Sequence, residues 1–320
     1  MRHKDKINIF LITYNRVENL ERTLDKLLAK DSPIKDYEIK ILDNASTDET
    51  ESFCKRLVEK CPNVLYKRNR INIGLSGNII KAMESADKKW LWVLCDDDDY
   101  DWSRWDEIDD ALASDMYDIV HTTYTIGHRN ETYPYLINEE AFIPTPIYNT
   151  KHITPSTMQN AYAMAYTLLP HHAIGCKVIN ENGRFFVPKE RMVLQGKNDK
   201  YNFLRMPKQG LFHRLSRYQI LAGYITAYQL IEDPEIRREC CDVLCLGSDF
   251  EYSMGCFLEW NNGYINNIAD VLMAIDNEQK QAFFRALKQK QPENFRHFNE
   301  FIDEIYPMIQ ALEYKSEESQ

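Results

Sequence analysis

Four consecutive aspartates, Asp96, Asp97, Asp98 and Asp99, directly follow the apolar run Trp90–Cys95. We call these four residues the aspartate run. A short apolar stretch rich in aromatic residues predicts a buried strand, so the carboxylates would emerge at its C-terminal end, where open α/β sheets bind ligands. Adjacent like charges are unfavourable unless water or a cation compensates, and Mg²⁺ or Mn²⁺ would neutralise them and clamp a diphosphate. The alternative is a solvated acidic turn that caps a helix predicted at 101–114.

The elements that must position this run alternate between strand and helix patterns from residue 6 to about 120. The predicted strands are 7–13, 37–42, 64–66, 90–95 and 117–123. Three predicted helices are 17–29, 75–86 and 101–114. A further helix is predicted to start after a capping box formed by Ser46 and Glu49. This order predicts a doubly wound, mostly parallel sheet whose ligand edge gathers residues 13–16, 43–46 and 96–99.

The second half of the chain has a different pattern. Residues 127–160, which contain four prolines, are predicted to be a long loop beside the ligand edge, followed by strands at 161–169 and 173–179. Helical patterns cover most of the remainder, at 222–230, 236–246, 268–275, 278–289 and 295–312. The tail, 313–320, is predicted to be disordered.

Composition narrows the range of partners. The chain has 320 residues, with 39 basic and 49 acidic side chains and a formal charge of −10, which argues against binding of nucleic acid. Its eight cysteines lack paired spacing and are expected to be buried thiols of a reduced compartment. The polar start and the short apolar segment at 7–12 predict neither a signal peptide nor a membrane span, so a cytoplasmic protein is expected.

Four motifs in order carry a family resemblance. They are Thr13-Tyr14-Asn15-Arg16 after the first strand, Asp43-Asn44-Ala45-Ser46-Thr47-Asp48 after the second, Asn72-Ile73-Gly74-Leu75-Ser76-Gly77-Asn78 at the third helix, and the aspartate run. Together they resemble family 2 glycosyltransferases of the GT-A fold, of the bacterial polysaccharide or glycan type. The resemblance implies a Rossmann-like, mostly parallel sheet flanked by helices, with a helical C-terminal extension. The implied divisions are a catalytic domain at 1–215, with a nucleotide-binding half at 1–125 and an acceptor half at 126–215, then helices at 216–312.

The resemblance also implies a set of nucleotide-binding residues: Thr13, Tyr14, Asn15, Arg16, Asp43, Asn44, Gly74, Asn78, Asp96 and Asp97. Asp43 would accept a hydrogen bond from the base edge, in a pocket lined by residues 13–15. The alternative for Asp43 is a turn or helix-cap carboxylate. Gly74 and Asn78 would bring a helix and its backbone close to the nucleotide. The alternative for this pair is an ordinary helix start.

The family's D-x-D element maps onto the aspartate run, with a register that is ambiguous by one residue. Asp96 would face the ribose and Asp98 would bind the Mn²⁺ or Mg²⁺, with Asp97 or Asp99 as a secondary ligand. Asp199 is the expected general base, although Asn198 replaces the Glu that precedes it in the family. An exposed aspartate at a helix start is the alternative, and Glu190 is the reserve candidate.

Three histidines are candidate metal ligands or acceptor contacts. His213 is expected to bind metal and Arg214 to contact phosphate, by resemblance to a terminal segment of the family; a structural histidine is the alternative. His171 and His172, if on a strand, point in opposite directions, so at most one faces the cleft. Aromatic residues near the edge predict either an acceptor platform or packing of the long loop: Trp102, Trp105, Tyr133, Tyr135 and Tyr148.

The sequence thus predicts an inverting, metal-dependent glycosyltransferase of hexosyl or N-acetylhexosaminyl type, active in polysaccharide biosynthesis. A UDP-sugar is the expected donor and a glycan or lipid-linked saccharide the acceptor, in the cytoplasm or at the inner face of the membrane. The alternatives are a nucleotidyltransferase and a degenerate sugar-nucleotide-binding protein without activity. An oxidoreductase is disfavoured because no G-x-G-x-x-G follows a strand. Whether the C-terminal helices rest on a membrane, pack on the catalytic domain or form a homodimer stays open.

Overall fold

The computed structural model describes residues 3–124, 129–196, 223–224 and 226–246. Its strands are β1 (Ile7–Thr13), β2 (Ile39–Asp43), β3 (Val64–Arg68), β4 (Trp90–Cys95), β5 (Asp99–Tyr100), β6 (Ile119–His121), β7 (Pro146–Asn149), β8 (Phe185–Phe186) and β9 (Val193–Leu194). Its α-helices are α1 (Val17–Leu27), α2 (Thr50–Lys60), α3 (Gly74–Glu84), α4 (Trp105–Ala113), α5 (Tyr133–Glu139), α6 (Pro155–Ala163), α7 (His172–Asn180) and α8 (Pro234–Leu246). Short 3₁₀ turns lie at Trp102–Arg104 and Thr150–His152.

The described strands form a seven-stranded sheet in the order β3-β2-β1-β4-β7-β6-β8, and a separate pair, β5-β9. Strands β1 to β4 are mutually parallel where they pair, whereas β7 runs antiparallel to both β4 and β6. The register pairs Thr13 with Asp43, and Ile12 with Cys95. Because these parallel strands end level with one another, the loops after β1, β2 and β4 meet at one edge, as predicted.

The sheet is buried on both faces, which explains the nearly unbroken apolar sequence of β1 and β4. Alternate residues enter two cores: Phe10 and Val93 face one, while Leu11 and Leu94 face the other. Helix α1 buries Leu20, Leu24 and Leu27 against the second core, at the helical spacing read from the sequence. Packing of both faces holds the strand ends in fixed positions.

The two strands predicted at 161–169 and 173–179 are wrong: α6 ends at Ala163 and is followed by turns up to residue 169, and 173–179 lies within α7. Helix α7 buries seven of its nine residues, so it lacks the polar face that would reveal a helical period. The sequence does contain a start signal for α6, the pair Thr154-Pro155. Pro155 occupies the first turn of the helix, and the Thr154 side chain accepts a hydrogen bond from Thr157 N–H. The predicted loop at 127–160 likewise contains α5, β7 and the start of α6.

The capping box predicted at Ser46 and Glu49 is also wrong. Helix α2 begins at Thr50, whose N–H donates to Asp48 Oδ1 at 3.1 Å, and Ser46 Oγ instead accepts from the backbone of Asn15. Residues 223–224 and 226–228 are helical, and α8 corresponds to the helix predicted at 236–246. The later predicted helices and the 313–320 tail lie outside the described residues. No helix in the described part is long and apolar enough to span a bilayer.

Candidate functional site: a carboxylate cluster at the sheet edge

The loops after β1 and β2 are joined to each other at this edge. Asn15 N–H donates to Ser46 Oγ at 2.9 Å, and Thr47 N–H donates to Asn15 Oδ1 at 2.6 Å. Both loops contain a non-glycine residue with positive φ, 53° at Asn15 and 64° at Ala45. This left-handed conformation is costly for such residues and persists where surrounding contacts impose it, often at functional sites. Tyr14, which directly precedes Asn15, is 40% exposed at this edge.

Asp43 is placed beneath the edge rather than on it. Its carboxylate is fully buried and accepts from Ser46 N–H at 2.8 Å and from the Tyr66 hydroxyl at 2.6 Å, with Arg68 Nε at 3.5 Å. Burial and this carboxylate together raise the pKa of Tyr66 well above its usual range, so the phenol stays a donor. These contacts support the turn-carboxylate alternative for Asp43, and its contact with a nucleotide base stays a prediction.

A network of asparagines fixes the start of α3. Asn44 Nδ2 donates to Asn72 Oδ1 at 2.8 Å and to Gly74 O at 3.0 Å, while Asn78 Nδ2 donates to Leu42 O at 2.9 Å. Gly74 has a φ of 78°, and nothing among the described residues lies within 4 Å of a Cβ built there. Glycine is therefore required for backbone conformation rather than for close approach. The helix-start alternative accounts for Gly74 and Asn78, and a nucleotide contact by either stays a prediction.

The aspartate run is held from two sides by cations of the first helix and its preceding loop. Arg16 Nη1 lies 2.8 Å from Asp96 and Nη2 lies 2.5 Å from Asp97, while Lys26 forms an ion pair with Asp99. Thr13 Oγ1 also donates to Asp96 Oδ2 at 2.6 Å. Among the described residues, two cations thus face four carboxyl groups, which leaves a balance that one divalent cation would neutralise. Lys26, in the last turn of α1, was missed because its partners lie far away in sequence.

Burial makes the charged forms of Asp96 and Asp98 costly. Burial, aided by the charges of Asp97 and Asp96, raises the pKa of Asp98 to about 8. Burial also raises the pKa of Asp96 to about 7, although Arg16 and the Thr13 hydroxyl oppose the rise. Asp98 is 2% exposed, and its Oδ2 has no hydrogen-bond partner among the described residues. An orphaned buried carboxylate oxygen is a position where a cation would be stabilised.

The donor atoms fit a hard cation held by two carboxylates. One ligand atom each from Cys95, Asp97 and Asp98 lies within 4.8 Å of the others. Burial and the neighbouring carboxylates raise the pKa of the Cys95 thiol well above its usual range, so it stays neutral and is a poor ligand for a hard cation. Mg²⁺-type sites use one or two carboxylates together with water and substrate phosphates. Asp97 and Asp98 are therefore the candidate ligands. This choice reduces the number of ways in which the D-x-D element can be aligned with the aspartate run.

The predicted acceptor-side residues are mostly buried. His171 and His172 start α7 rather than lying on a strand, and both are shielded from solvent; His171 Nε2 lies 2.8 Å from Glu140 O. The strand expected here is therefore wrong, whereas the burial of both side chains agrees with the expectation that at most one of them faces the cleft. Tyr148 donates to Glu140 Oε2 at 2.8 Å, and Trp105 stacks on Trp92 with ring centroids 6.2 Å apart. Packing accounts for these two aromatics.

The remaining predicted side chains divide into two groups. Trp102 stacks on Tyr100 and is partly exposed, Tyr133 donates to Gly183 O at 2.9 Å, and Tyr135 is half-buried. The reserve base Glu190 forms a surface ion pair with Arg104. A further group lies outside the described residues: Asn198, Asp199, His213 and Arg214. Their predicted roles stay predictions.

Comparison with known proteins identifies the family. The model of Glycosyl transferase family 2 matches residues 8–181, which is more than half of the chain. The chain belongs to glycosyl transferase family 2. The predicted membership is confirmed, and the matched residues contain β1 to β7, the aspartate run and α7.

Two curated relatives match the chain in part. The Salmonella typhimurium abequosyltransferase RfbV is 31% identical over 121 residues, which cover 36% of this chain and 32% of that protein. An uncharacterised glycosyltransferase of Mycoplasma pneumoniae, the MG060 homolog, is 28% identical over 137 residues, which cover 40% of this chain and 46% of that protein. The chain therefore matches less than half the length of either relative.

Solved structures share the fold at low sequence identity. S. aureus TarS 1-349 has a TM-score of 0.58 at 14% identity, covering 93% of this chain and 91% of TarS. The mannosyltransferase PcManGT of Pyrobaculum calidifontis, solved in complex with GDP-Man and Mn²⁺, has a TM-score of 0.53 at 14% identity, covering 92% of this chain and 83% of PcManGT. The predicted GT-A fold is confirmed.

Proposed function

We propose that this protein is an inverting, metal-dependent glycosyltransferase that moves a sugar from a nucleoside diphosphate sugar to an acceptor hydroxyl. The observation that carries the proposal is the aspartate run. It places Asp97 and the orphaned oxygen of Asp98 at the edge where the β1 and β2 loops meet. Carboxylates short of positive charge suit a divalent cation, and a cation at this edge suits a diphosphate.

The donor proposal is a UDP-sugar bound with Mn²⁺ or Mg²⁺. Among proteins of this fold, TarS has been solved with UDP, at a TM-score of 0.57, and PcManGT with GDP-Man and Mn²⁺. Tyr14 offers an exposed aromatic face beside the Asn15 loop, which suits stacking on a nucleotide base. Arg16 lies next to the carboxylates, where its guanidinium can also hydrogen-bond a phosphate.

Each candidate residue has a separate role in the proposed transfer. Asp97 and Asp98 would hold the cation, which, when bound, supplies positive charge opposite the departing diphosphate. Thr13 and Arg16 fix the orientation of Asp96 beside that pair. Asp199, outside the described residues, is the proposed base that takes the proton from the acceptor hydroxyl. Attack from the face opposite the leaving group would invert the anomeric centre.

The acceptor proposal is a glycan or lipid-linked saccharide, reached in the cytoplasm or at the inner face of the membrane. The Salmonella relative is an abequosyltransferase, which supports sugar transfer in general and leaves this chain's own sugar unspecified. The aspartate run and the loops after β1 and β2 form the donor edge and do not define an acceptor. The family resemblance is therefore what supports this acceptor.

A thermal-shift screen tests the donor half of the proposal. The full chain would be heated with UDP-, GDP-, CMP- and dTDP-sugars, each with and without Mn²⁺, because a ligand that binds the folded state raises the melting temperature. One nucleotide class should raise it, and more so with Mn²⁺. Incubation with that donor should release a nucleoside diphosphate; release of pyrophosphate would instead identify a nucleotidyltransferase. No shift with any of the four classes would contradict the proposal.

A further inference from the structure

A short segment of backbone lies across the aspartate run. Strand β9 pairs antiparallel with β5, which aligns Leu194 with Asp99 and Val193 with Tyr100. Asp101 N–H donates to Met192 O at 2.8 Å, next to that pair. The segment is anchored at its other side as well, because Met192 N–H donates to Thr122 O at 2.9 Å, at the end of β6. These bonds connect the loop that follows β4 to the end of β6.

Gly196 ends the described part of this segment and touches the candidate metal ligands directly. Its backbone N–H acts on the Asp98 carboxyl group in the direction that lowers the pKa of that group, against the larger effect of burial. A Cβ built on Gly196 would lie 1.6 Å from Asp97 O and 3.5 Å from Asp98 Cα. Real Cβ contacts are essentially never shorter than 3.0 Å, so any side chain at this position would displace the backbone between Asp97 and Asp98.

We propose that Gly196 is a positioning residue for the cation site, acting through Asp97 and Asp98. The proposal rests on the metal-dependent transfer proposed above. Gly196 lies against the backbone that joins Asp97 to Asp98, while Asp98 Oδ2 stays buried without a partner in the described structure. Holding that backbone in place keeps the two candidate ligands in position for a cation. The lack of a side chain lets the segment approach this closely.

The test compares two glycine substitutions that crowd the protein in different places. Gly196→Ala pushes on the Asp97 backbone. Gly183→Ala is the matched control, because a Cβ there would lie 2.4 Å from Val178 Cγ1 and 3.0 Å from Val178 O. Gly183 follows α7, next to Asp118 at the start of β6 and thus toward the opposite edge of the sheet from the aspartate run. Mn²⁺ binding would be titrated in the presence of UDP by the electron paramagnetic resonance signal of free Mn²⁺, alongside the melting temperature.

The proposal predicts that Gly196→Ala weakens the Mn²⁺ affinity by about tenfold or more, since loss of a supporting group costs metal sites that much. Gly183→Ala should lower the melting temperature and leave the Mn²⁺ affinity at the wild-type value. Equal Mn²⁺ affinity in Gly196→Ala and wild type would overturn the positioning role and leave the proposed function standing. Failure of the wild-type protein to bind Mn²⁺ with UDP would overturn both.

A measurement on the wild-type protein covers the case in which Gly196→Ala does not fold. Hydrogen exchange of a peptide spanning β9 and Gly196 would be followed with and without Mn²⁺ and UDP. Because the cation would fix Asp97 and Asp98, against which Gly196 packs, exchange should slow several-fold on binding. Unchanged exchange under conditions where Mn²⁺ binds would overturn the proposal.

Discussion

Replacing Arg16 with methionine removes the positive charge from the aspartate run while keeping most of the side chain's apolar volume. In the native protein the guanidinium lies 2.8 Å from Asp96 and 2.5 Å from Asp97. The side chain of Asp96 is only 3% exposed, whereas those of Arg16 and Asp97 are 22% and 28% exposed. The pair is therefore intermediate between a buried ion pair and a surface one.

The expected cost follows from that position. Removal of one partner from a buried pair costs about 3–5 kcal/mol, and an exposed pair contributes about 0–1 kcal/mol. We expect Arg16→Met to lower the free energy of unfolding by about 2–3 kcal/mol in metal-free buffer, and the melting temperature by roughly 3–5 °C. Arg22→Met, on the exposed face of α1, is the matched control and should change stability by less than about 0.5 kcal/mol.

Denaturant unfolding of four proteins would measure this cost and its cause: wild type, Arg16→Met, Asp96→Asn and the double variant. If the loss arises from an unpaired Asp96 charge, Arg16→Met should cost less in the Asp96→Asn background, by about 1 kcal/mol or more. An equal cost in both backgrounds, or a loss no larger than that of Arg22→Met, would refute the reasoning.

Three further perturbations test other parts of the structure. Gly74→Ala should destabilise by about 1 kcal/mol, because alanine is strained at positive φ, and an unchanged denaturation midpoint would contradict that. The second perturbation concerns Asp118. Burial raises the pKa of its carboxyl group, but hydrogen bonds from Lys151, Arg184 N–H and His152 outweigh burial and lower the pKa to about 2. The resulting stability is full above the unfolded pKa and is lost as pH falls from about 4 through 2; after solvent screening it amounts to about 1 kcal/mol. Asp118→Asn should flatten this part of the stability–pH curve, and a curve of unchanged slope would be inconsistent with the assignment. Asp199→Asn should reduce sugar transfer at least a hundredfold while donor affinity is kept, as measured by nucleoside diphosphate release; wild-type turnover would exclude Asp199 as the base.

The donor edge was predictable from sequence because its signals are local. Strand β4 is an unbroken apolar run followed at once by charge, and α1 shows Leu20, Leu24 and Leu27 at helical spacing. Parallel strands that end together then place their loops at one edge without any knowledge of tertiary contacts. The same argument could not predict β7, whose antiparallel pairing with β4 joins residues more than fifty positions apart, such as Trp90 and Asn149.

The roles of individual polar side chains were harder to predict, because they depend on distant partners. Asp43 is a conspicuous carboxylate in sequence, yet Tyr66 and Ser46 occupy it in the fold. Lys26 carries no motif, yet it forms an ion pair with Asp99, 73 residues away. Helix α7 is buried nearly all round, so its sequence resembles a buried strand. In each case long-range packing, which one sequence does not reveal, decided the outcome.

Isothermal titration of Mn²⁺-dependent nucleotide binding to Asp98→Asn tests the central claim most directly. The asparagine is nearly the same size but carries no charge, so the cation loses a ligand while the fold is kept. Asp106→Asn, on the exposed face of α4, is the matched control. We predict that Mn²⁺ strengthens nucleotide binding in wild type and Asp106→Asn, and that Asp98→Asn loses this effect. Full Mn²⁺ enhancement in Asp98→Asn would contradict the assignment of the aspartate run as the cation site.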